Sequence, residues 1–298
     1  MRNRALPNET KVCILGGTGT SGRAVAEALV TSGITTRVVT RNPSGPVARR
    51  LATLGCDIAE ADLFNSASVD AGLRGCDTVY LAGASKADKW NSGEAVQGMI
   101  AIDAALSVGV SHFIYQSALV DDACGVLGNG SKRAIEERLA ELDLRATILR
   151  PAIFMDNLLT HSRPRCDEAG QLIVAMALPL DLARGFVSVD DIGRAAARIV
   201  HDAEALGGRS YDLVGDDLSL ADIARTLGEL IGKPVLANPV SLEKIELVSK
   251  PVAAVYRWLS ERHGGESRDD LVRLIGQPAR FREWSEKYLL PAIEYCST

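Results

Sequence analysis

The chain has 298 residues, 47% hydrophobic and 24% charged, so it can bury a sizeable core as one large domain or as a domain with a smaller lobe. The formal net charge is −5 and no long basic run occurs, which argues against a nucleic-acid partner. No apolar run approaches membrane-spanning length, and the first residues lack the apolar segment of a secretory signal, so we expect a cytosolic (cytoplasmic) protein that is not bound to a membrane.

A glycine-rich turn lies between the first predicted strand and the first predicted helix, in the stretch KVCILGGTGTSGRAVAEALV. The apolar run from Val12 to Leu15 suits a strand buried in a parallel sheet, and helical spacing resumes from Ser21 to Thr31. In this context the turn predicts a pyrophosphate site at a helix amino terminus, although a tight turn that binds nothing is the alternative. The predicted cofactor-binding residues of the turn are Gly16, Thr18, Gly19, Thr20, Ser21 and Gly22.

Strands and helices then alternate as far as Arg150. The predicted strands are 35–40, 57–59, 78–82, 112–116 and 146–149, and the predicted helices are 47–54, 66–73, 94–108 and 131–142. Such alternation implies right-handed crossovers and a parallel sheet covered by helices on both faces. We therefore predict an α/β fold, a doubly wound parallel sheet of the Rossmann type, for a domain of residues 1–150.

The regular alternation fades in residues 151–298. Strands are predicted at 172–175, 186–189 and 210–213, and helices at 191–200, 219–231, 241–249 and 251–259. We expect a smaller, mainly helical substrate lobe from which one or two late strands return to the sheet. Residues 261–270 are predicted to be an exposed loop.

Arg41 follows the second predicted strand, at the position where dinucleotide folds contact the adenine ribose. An acidic residue there would favour NAD, whereas an arginine can pair with the 2′-phosphate of NADP. The alternative is a solvated surface arginine. The sequence therefore predicts NADP (NADPH) as the cofactor.

The ends of the third and fourth predicted strands supply further cofactor candidates. Asp62 and Leu63 could border the adenine, although Asp62 serves equally well as a cap or turn residue. Small residues end the fourth strand, as a backbone lying against a cofactor would require, and they also suit a plain turn. They are Ala82, Gly83 and Ala84.

Eight segments, in this order, give the chain a resemblance to the NmrA-like family of atypical short-chain dehydrogenases/reductases over about residues 11 to 240. They are GGTGTSG, TRNP, AEADLFNSASVDAGLRGCDTVYL, VSHFIYQSAL, SKRAIEERL, LRPAIFMDNLL, FVSVDDIGRAA and GGRSYDLVGDDLSLADIARTLGELIGKPV. The resemblance implies an NADP-binding Rossmann domain and a small carboxyl-terminal substrate lobe. The family includes quinone, enoyl and imine-type reductases and also proteins that bind the dinucleotide without reducing anything, so membership leaves the function open.

The resemblance also assigns candidate catalytic residues. Lys132 matches the family's lysine, which holds the nicotinamide ribose, and Ser117 matches the short-chain dehydrogenase serine that binds a substrate oxygen. A strand-end cap is the alternative for Ser117, and a charge on the first turn of a helix is the alternative for Lys132. The tyrosine expected one turn before the lysine is replaced by Gly128, so tyrosine-dependent carbonyl reduction is in doubt.

The segment LRPAIFMDNLL resembles the part of the family that borders the nicotinamide. Pro151 would fix the backbone, Ile153 and Phe154 would form an apolar wall, and Asn157 could bind a ligand or cap a helix. Candidates to meet the substrate are Trp90, Phe154 and Asn157. A lone histidine, His161, is a candidate proton donor, although such residues are more often structural.

Two classes of function remain open at this stage. The first is an NADPH-dependent oxidoreductase acting on a small apolar, conjugated or quinone-like molecule, and the second is a non-catalytic sensor of the dinucleotide. A non-redox isomerase or cyclase is a weaker third. We expect a monomer or a homodimer. We predict no metal, because neither the cysteines nor the histidines have ligand spacing, and we expect all six cysteines to be free thiols.

Overall fold

The structure, a computed structural model, describes residues 10–83, 92–121, 124–262 and 265–293. The chain divides into two compact units, each with its own hydrophobic core. Unit 1 consists of Met1–Leu119, Gly130–Arg150 and Val189–Asp212. Unit 2 consists of Val120–Asn129, Pro151–Ser188 and Leu213–Thr298.

The strands, in chain order, are β1 (Lys11–Leu15), β2 (Thr35–Thr40), β3 (Asp57–Glu60), β4 (Thr78–Ala82), β5 (His112–Gln116), β6 (Arg145–Pro151), β7 (Ile153–Phe154), β8 (Arg165–Cys166), β9 (Leu172–Met176), β10 (Arg184–Val187), β11 (Ser210–Leu213), β12 (Asp216–Leu218) and β13 (Leu236–Pro239). The helices are α1 (Thr20–Thr31), α2 (Pro46–Thr53), α3 (Ser66–Leu73), α4 (Ser92–Val108), α5 (Gly125–Ala140), α6 (Val189–His201), α7 (Ala203–Leu206), α8 (Leu220–Ile231), α9 (Leu242–Val248), α10 (Lys250–Glu261), α11 (Asp269–Ile275) and α12 (Phe281–Trp284).

Unit 1 is built on a seven-stranded parallel sheet with the order β11-β6-β5-β4-β1-β2-β3. Strands β4 and β5 are buried along their whole length, as expected for central parallel strands covered on both faces. The chain moves outward from β1 to β3 and then returns to β4 on the other side of β1. This reversal opens a crevice at the carboxyl ends of β1 and β4, where doubly wound folds place their ligands. The predicted fold class is confirmed.

Helix α6 completes unit 1 by packing along α1. Gly193 permits the close approach, because a Cβ there would lie 2.6 Å from the carbonyl oxygen of Ala24. The chain then adds β11 to the edge of the sheet, where the Ile148 N–H donates to the carbonyl of Arg209. Of the strands predicted after residue 150, β11 joins the large sheet.

Unit 2 combines helices α8 to α12 with two three-stranded sheets, whose orders are β12-β10-β7 and β13-β9-β8. Strands β9 and β10 therefore belong to these small sheets and not to the large one. The core of unit 2 is made of apolar side chains from its strands and helices, with Phe281 and Trp284 stacked at a centroid distance of 6.0 Å. The helical carboxyl-terminal region was predicted, but the short strands β7, β8, β12 and β13 were not.

Helix α5 begins at Gly125, earlier than the predicted start at Ser131. The predicted start lies too far along the chain because the glycines of this segment have low helix propensity. The surrounding structure overrides that propensity. Lys132 therefore lies well inside the helix, and its description as a first-turn residue is wrong. Gly128 lies one helical turn before it.

Two further expectations fail in unit 2. The segment 261–270 is not simply an exposed loop, because the Glu266 carboxylate is buried, accepts the Gly185 N–H at 2.9 Å and pairs with Arg262 at 3.0 Å. Cys166 is disulfide-bonded, so the expectation of free thiols is wrong at this position. The expectation of free thiols followed from the expected cytosolic location, and a location does not tell which cysteines lie close together in the fold. Cys296 lies outside the described residues.

Candidate functional site

The glycine turn connects β1 to α1 at the carboxyl edge of the large sheet. Gly16 has a φ of 81°, in the left-handed region that favours glycine. The N–H of Gly19 donates to the Gly16 carbonyl at 3.1 Å, and a Cβ on Gly22 would lie 2.4 Å from the same oxygen. Both contacts are to the Gly16 carbonyl, and they hold the start of α1 close to the end of β1.

The amino terminus of α1 carries the properties of an anion site. Its N-cap residue, Gly19, has no side chain to accept a hydrogen bond from the first-turn N–H groups, and the first turn contains no acidic residue. Gly19 and Thr20 are exposed, Thr18 is half-buried and Ser21 is buried. The backbone N–H groups and the positive end of the helix dipole are thus available to a phosphate.

Arg41 follows β2 on the same edge of the sheet and is exposed. Across the part of the chain that the structure describes, its guanidinium has no ion-pair or hydrogen-bond partner. Arg37, inside β2, differs: it binds Asp57 at 2.8 Å and donates to the carbonyls of Gly72 and Arg74. Arg37 is therefore committed to holding the sheet and its crossover together, whereas Arg41 is available to a ligand.

Asp62 and Leu63 follow β3 and have structural roles. The Asp62 carboxylate accepts the N–H of Phe64 at 3.1 Å, which is a turn of the kind that aspartate commonly makes. Leu63 is buried in the core of unit 1. These contacts leave the predicted adenine contact of either residue untested.

A charged cluster lies where β4, α4 and α5 come together. Lys132 Nζ on α5 is 2.6 Å from Glu94 Oε1 on α4, and the side chains are 21% and 9% exposed, respectively. The Tyr115 hydroxyl on β5 is 3.4 Å from the same oxygen. Gly83, directly after β4, leaves room for this carboxylate, because a Cβ there would lie 2.2 Å from Glu94 Oε1 and 3.5 Å from Lys132 Nζ. Ala82, at the end of β4, is buried.

The end of β5 adds the buried hydroxyl of Ser117 to this region. Ser117 is 3% exposed, and its Oγ makes no hydrogen bond of acceptable geometry with any described residue. The Ser117 hydroxyl interacts with the Tyr115 side chain and could turn from it to a ligand oxygen. Burial, reinforced by the Glu94 charge, raises the pKa of Tyr115 well above its ordinary value, so this phenol stays protonated.

The remaining candidates belong to unit 2. Pro151 is buried, and Ile153 and Phe154 are half-buried in the short strand β7, which pairs with β10. Asn157 follows in a 3₁₀ turn, and its side-chain amide has no hydrogen-bond partner within the described ranges. His161 is exposed, its Nδ1 lies 3.3 Å from Thr160 Oγ1, and partial desolvation lowers its pKa. A lowered pKa leaves the imidazole neutral near pH 7, which reduces its capacity to donate a proton.

Two predicted site residues, Ala84 and Trp90, lie outside the described residues. Two residues of the charged cluster, Glu94 and Tyr115, were not predicted. Glu94 carried a weak signal, since it is the acidic residue at the start of an otherwise apolar helix. Nothing in the sequence distinguished Tyr115 from the other residues of its buried strand. Among the described residues there is no group of three or more potential metal ligands, and no described helix is long and apolar enough to cross a membrane.

The parallel sheet, its switch point and the glycine turn define a protein of the Rossmann-like class. The chain belongs to the NmrA-like family, whose model matches residues 8–257. It is 27% identical over 241 residues to agroclavine dehydrogenase of Claviceps fusiformis, a match covering 80% of this chain and 79% of that protein.

Solved structures show the same fold. The negative transcriptional regulator NmrA, in complex with NADP, is 15% identical with a TM-score of 0.80, and the match covers 95% of this chain and 96% of that one. An NADPH-dependent quinone oxidoreductase of Escherichia coli is 24% identical with a TM-score of 0.73, and the match covers 93% and 98%. The same fold thus occurs in a transcriptional regulator and in an oxidoreductase.

Proposed function

We propose that this protein is an NADPH-dependent reductase that transfers a hydride to a small apolar, conjugated or quinone-like acceptor. The observation that carries the proposal is the group at the carboxyl ends of β4 and β5, where Lys132 is held by Glu94 and the buried Ser117 Oγ makes no hydrogen bond of acceptable geometry with a described residue. In a reductase the Ser117 hydroxyl would bind the oxygen of the acceptor. A protein that only sensed the dinucleotide would not need a group in that role.

The residues present fit NADP. The amino terminus of α1 offers N–H groups to the pyrophosphate, and the unpaired Arg41 offers its guanidinium to the 2′-phosphate. Lys132 would hold the nicotinamide ribose, and Ile153 and Phe154 would supply an apolar surface beside the ring. When bound, NADPH supplies the hydride. The family relatives described as a dehydrogenase and as a quinone oxidoreductase support this chemistry.

The residues also favour an acceptor that needs no strong acid. Gly128 cannot donate a proton, the buried Tyr115 keeps its own, and His161 is disfavoured by its lowered pKa. Ser117 would hydrogen-bond the acceptor oxygen while charge spreads through a conjugated system, and water would deliver the proton afterwards. Simple aldehydes, which gain full charge on one oxygen, are correspondingly poor candidates.

The alternative is a non-catalytic protein that senses the dinucleotide. The structural similarity to the NADP-bound regulator NmrA favours it, and the missing tyrosine would then be no loss. A non-redox isomerase or cyclase at the same site has no specific observation in its favour.

Oxidation of NADPH, followed at its absorbance band, tests the proposal with quinones, enones, imines and aldehydes as acceptors. We expect turnover with quinones or enones, and its loss in Lys132→Met, which keeps the side-chain length but removes the charge. A suitable control is Lys233→Met, on the loop after α8. Tight NADPH binding without turnover on any acceptor would instead favour the sensor.

A further inference from the structure

We propose that Glu94 is the positioning residue for Lys132, fixing the ammonium where the dinucleotide ribose would bind. The inference deepens the proposed function and rests on its dinucleotide site. Glu94 lies on α4. Its carboxylate is close to Lys132 on α5, to Tyr115 on β5 and to Gly83, the residue after β4.

The Glu94 carboxylate is itself fixed. The residue is 7% exposed, and the Tyr115 hydroxyl points at Oε1 from β5 at 3.4 Å. Gly83 lets the same oxygen lie against the backbone after β4, where any larger residue would displace it. A buried carboxylate needs a charged partner, and Lys132 supplies one at 2.6 Å.

The helix that carries Lys132 is anchored separately. Glu136, one turn further along α5, binds Arg150 on β6 through both of its carboxylate oxygens, at 2.5 and 3.3 Å. Two ion pairs thus fasten successive turns of α5, one to α4 and one to β6. With its backbone held, the remaining freedom of Lys132 is in its flexible side chain, and Glu94 removes that freedom.

This arrangement has a consequence for binding. An ammonium group has three N–H donors, so the bond to Glu94 leaves two for ribose hydroxyls. A free lysine side chain loses rotamer entropy when a ligand immobilises it, and this loss weakens binding. Glu94 imposes that order before the ligand arrives, so the binding energy of the dinucleotide need not supply it.

Calorimetric titration with NADPH tests the proposal through a double-mutant cycle of Glu94→Gln and Lys132→Met. Glu94→Gln alone is expected to weaken binding by about threefold to tenfold, the equivalent of ordering one long side chain. In the Lys132→Met background the same change should not weaken binding further, because Glu94 would support binding only through the lysine. The control, Glu137→Gln, removes a carboxylate charge from the exposed ion pair with Arg133 on the same helix and should leave the affinity unchanged.

A second readout does not depend on the dinucleotide. Acetylation of Lys132 by an N-hydroxysuccinimide ester, followed by peptide mass spectrometry, should be faster in Glu94→Gln than in the parent protein and unchanged in Glu137→Gln. If Glu94→Gln does not fold, Gly83→Ala displaces the carboxylate without removing it and should show the same two effects.

Additive losses in the cycle, or unchanged acetylation of Lys132, would overturn the positioning role. These outcomes are separate from failure of the proposed function, because neither readout requires an acceptor or turnover. A protein that shows faster Lys132 acetylation in Glu94→Gln but reduces no acceptor would keep the positioning role and lose the reductase.

Discussion

Gly19 and Gly22 occupy the same turn but are glycine for different physical reasons. A Cβ on Gly22 would lie 2.4 Å from the Gly16 carbonyl oxygen and 2.9 Å from Gly17 Cα, so the chain itself excludes a side chain. A Cβ on Gly19 would meet only the Gly16 oxygen, at 3.3 Å, and Gly19 is exposed at the helix start. We therefore expect the absence of a side chain at Gly19 to matter for a ligand that approaches the turn, and not for the fold.

Substitution by alanine should separate these two roles. Gly22→Ala is expected to destabilise the fold by about 1–3 kcal/mol, the usual cost of overpacking. Gly19→Ala should change the stability by less than about 0.5 kcal/mol but weaken NADPH binding at least about tenfold, because its methyl group would lie where the phosphate approaches. Urea unfolding and calorimetry measure the two effects. A Gly19→Ala protein with undiminished affinity would show that the pyrophosphate does not approach this residue.

Arg41 carries the prediction of cofactor preference. The parent protein should bind NADPH at least about tenfold more tightly than NADH, about 1.4 kcal/mol, because only NADPH has a phosphate for the guanidinium to bind. Arg41→Ala should remove this difference by weakening NADPH binding and leave the affinity for NADH unchanged. Calorimetric titration of both dinucleotides decides the point, with Arg49→Ala on α2 as the control. Equal affinities in the parent protein would contradict the assignment.

The site residues that could be predicted from the sequence are those whose role depends on local context. The glycine turn and Arg41 are recognisable because strand, turn and helix follow one another within a short stretch of chain. Glu94 meets Lys132 across 38 positions of sequence and Tyr115 across 21, and no local pattern specifies such a meeting. The burial of the Ser117 hydroxyl beside these residues in β5 is likewise a property of packing, so it became visible only in the structure.

At the scale of elements, a buried polar group joins β5, β6 and the segment before β11. His112 Nε2 is 2.7 Å from Thr147 Oγ1, and the same oxygen accepts the N–H of Gly208 at 2.9 Å. Burial, with a smaller effect of the Arg145 charge, lowers the pKa of His112 to about 4. The imidazole is therefore neutral in the folded protein across the physiological range.

The lowered pKa of His112 predicts a pH dependence of stability. In the unfolded chain the imidazole takes up a proton below its ordinary pKa of about 6.5, whereas in the folded protein it stays neutral down to about pH 4. The free energy of unfolding should therefore be unaffected by this residue above pH 6.5 and fall by about 3 kcal/mol between pH 6.5 and 4. Urea unfolding across this range measures the effect.

His112→Gln provides the control for this pH dependence, since glutamine is polar but does not titrate. The variant should lose the part of the acid destabilisation that begins near pH 6.5. His201→Gln, at the end of α6, should keep it. An identical decline in the parent protein and in His112→Gln would show that other groups cause the acid destabilisation.

Elements were predictable where burial on both faces made the signal strong. The strands β4 and β5, which have apolar centres and are buried throughout, begin and end where the sequence predicts. Strand β2 also does so, because its β-branched threonines and valines favour a strand. The strands β7 and β8 have two residues each, which is too short for any periodicity. Strand β13 is short and mostly exposed, and its pairing with β9 depends on contacts distant in sequence.

At the scale of the whole molecule, the chain crosses between its two units several times. A linear boundary near residue 150 reflects where the alternation of strands and helices ends. It does not reflect where each segment packs, since Val189–Asp212 belongs to unit 1 and Val120–Asn129 to unit 2. Among the residues predicted to contact the dinucleotide, the glycine turn, Arg41 and Lys132 belong to unit 1 and the strand β7 belongs to unit 2.

Hydrogen–deuterium exchange with and without NADPH tests which of the predicted residues bind the dinucleotide. Exchange should slow at 16–23 and 41–45, where backbone and Arg41 meet the phosphates, and also at 151–157 if the apolar segment borders the nicotinamide as proposed. A ligand at 100 times its dissociation constant stabilises the binding-competent fold by about 2.7 kcal/mol, enough to slow exchange that requires unfolding of unit 1 about a hundredfold. Peptides from α8 and α9 serve as the control and should not change. Protection confined to unit 1 would remove Pro151, Ile153 and Phe154 from the cofactor site, and with them the argument that the acceptor meets an apolar wall there.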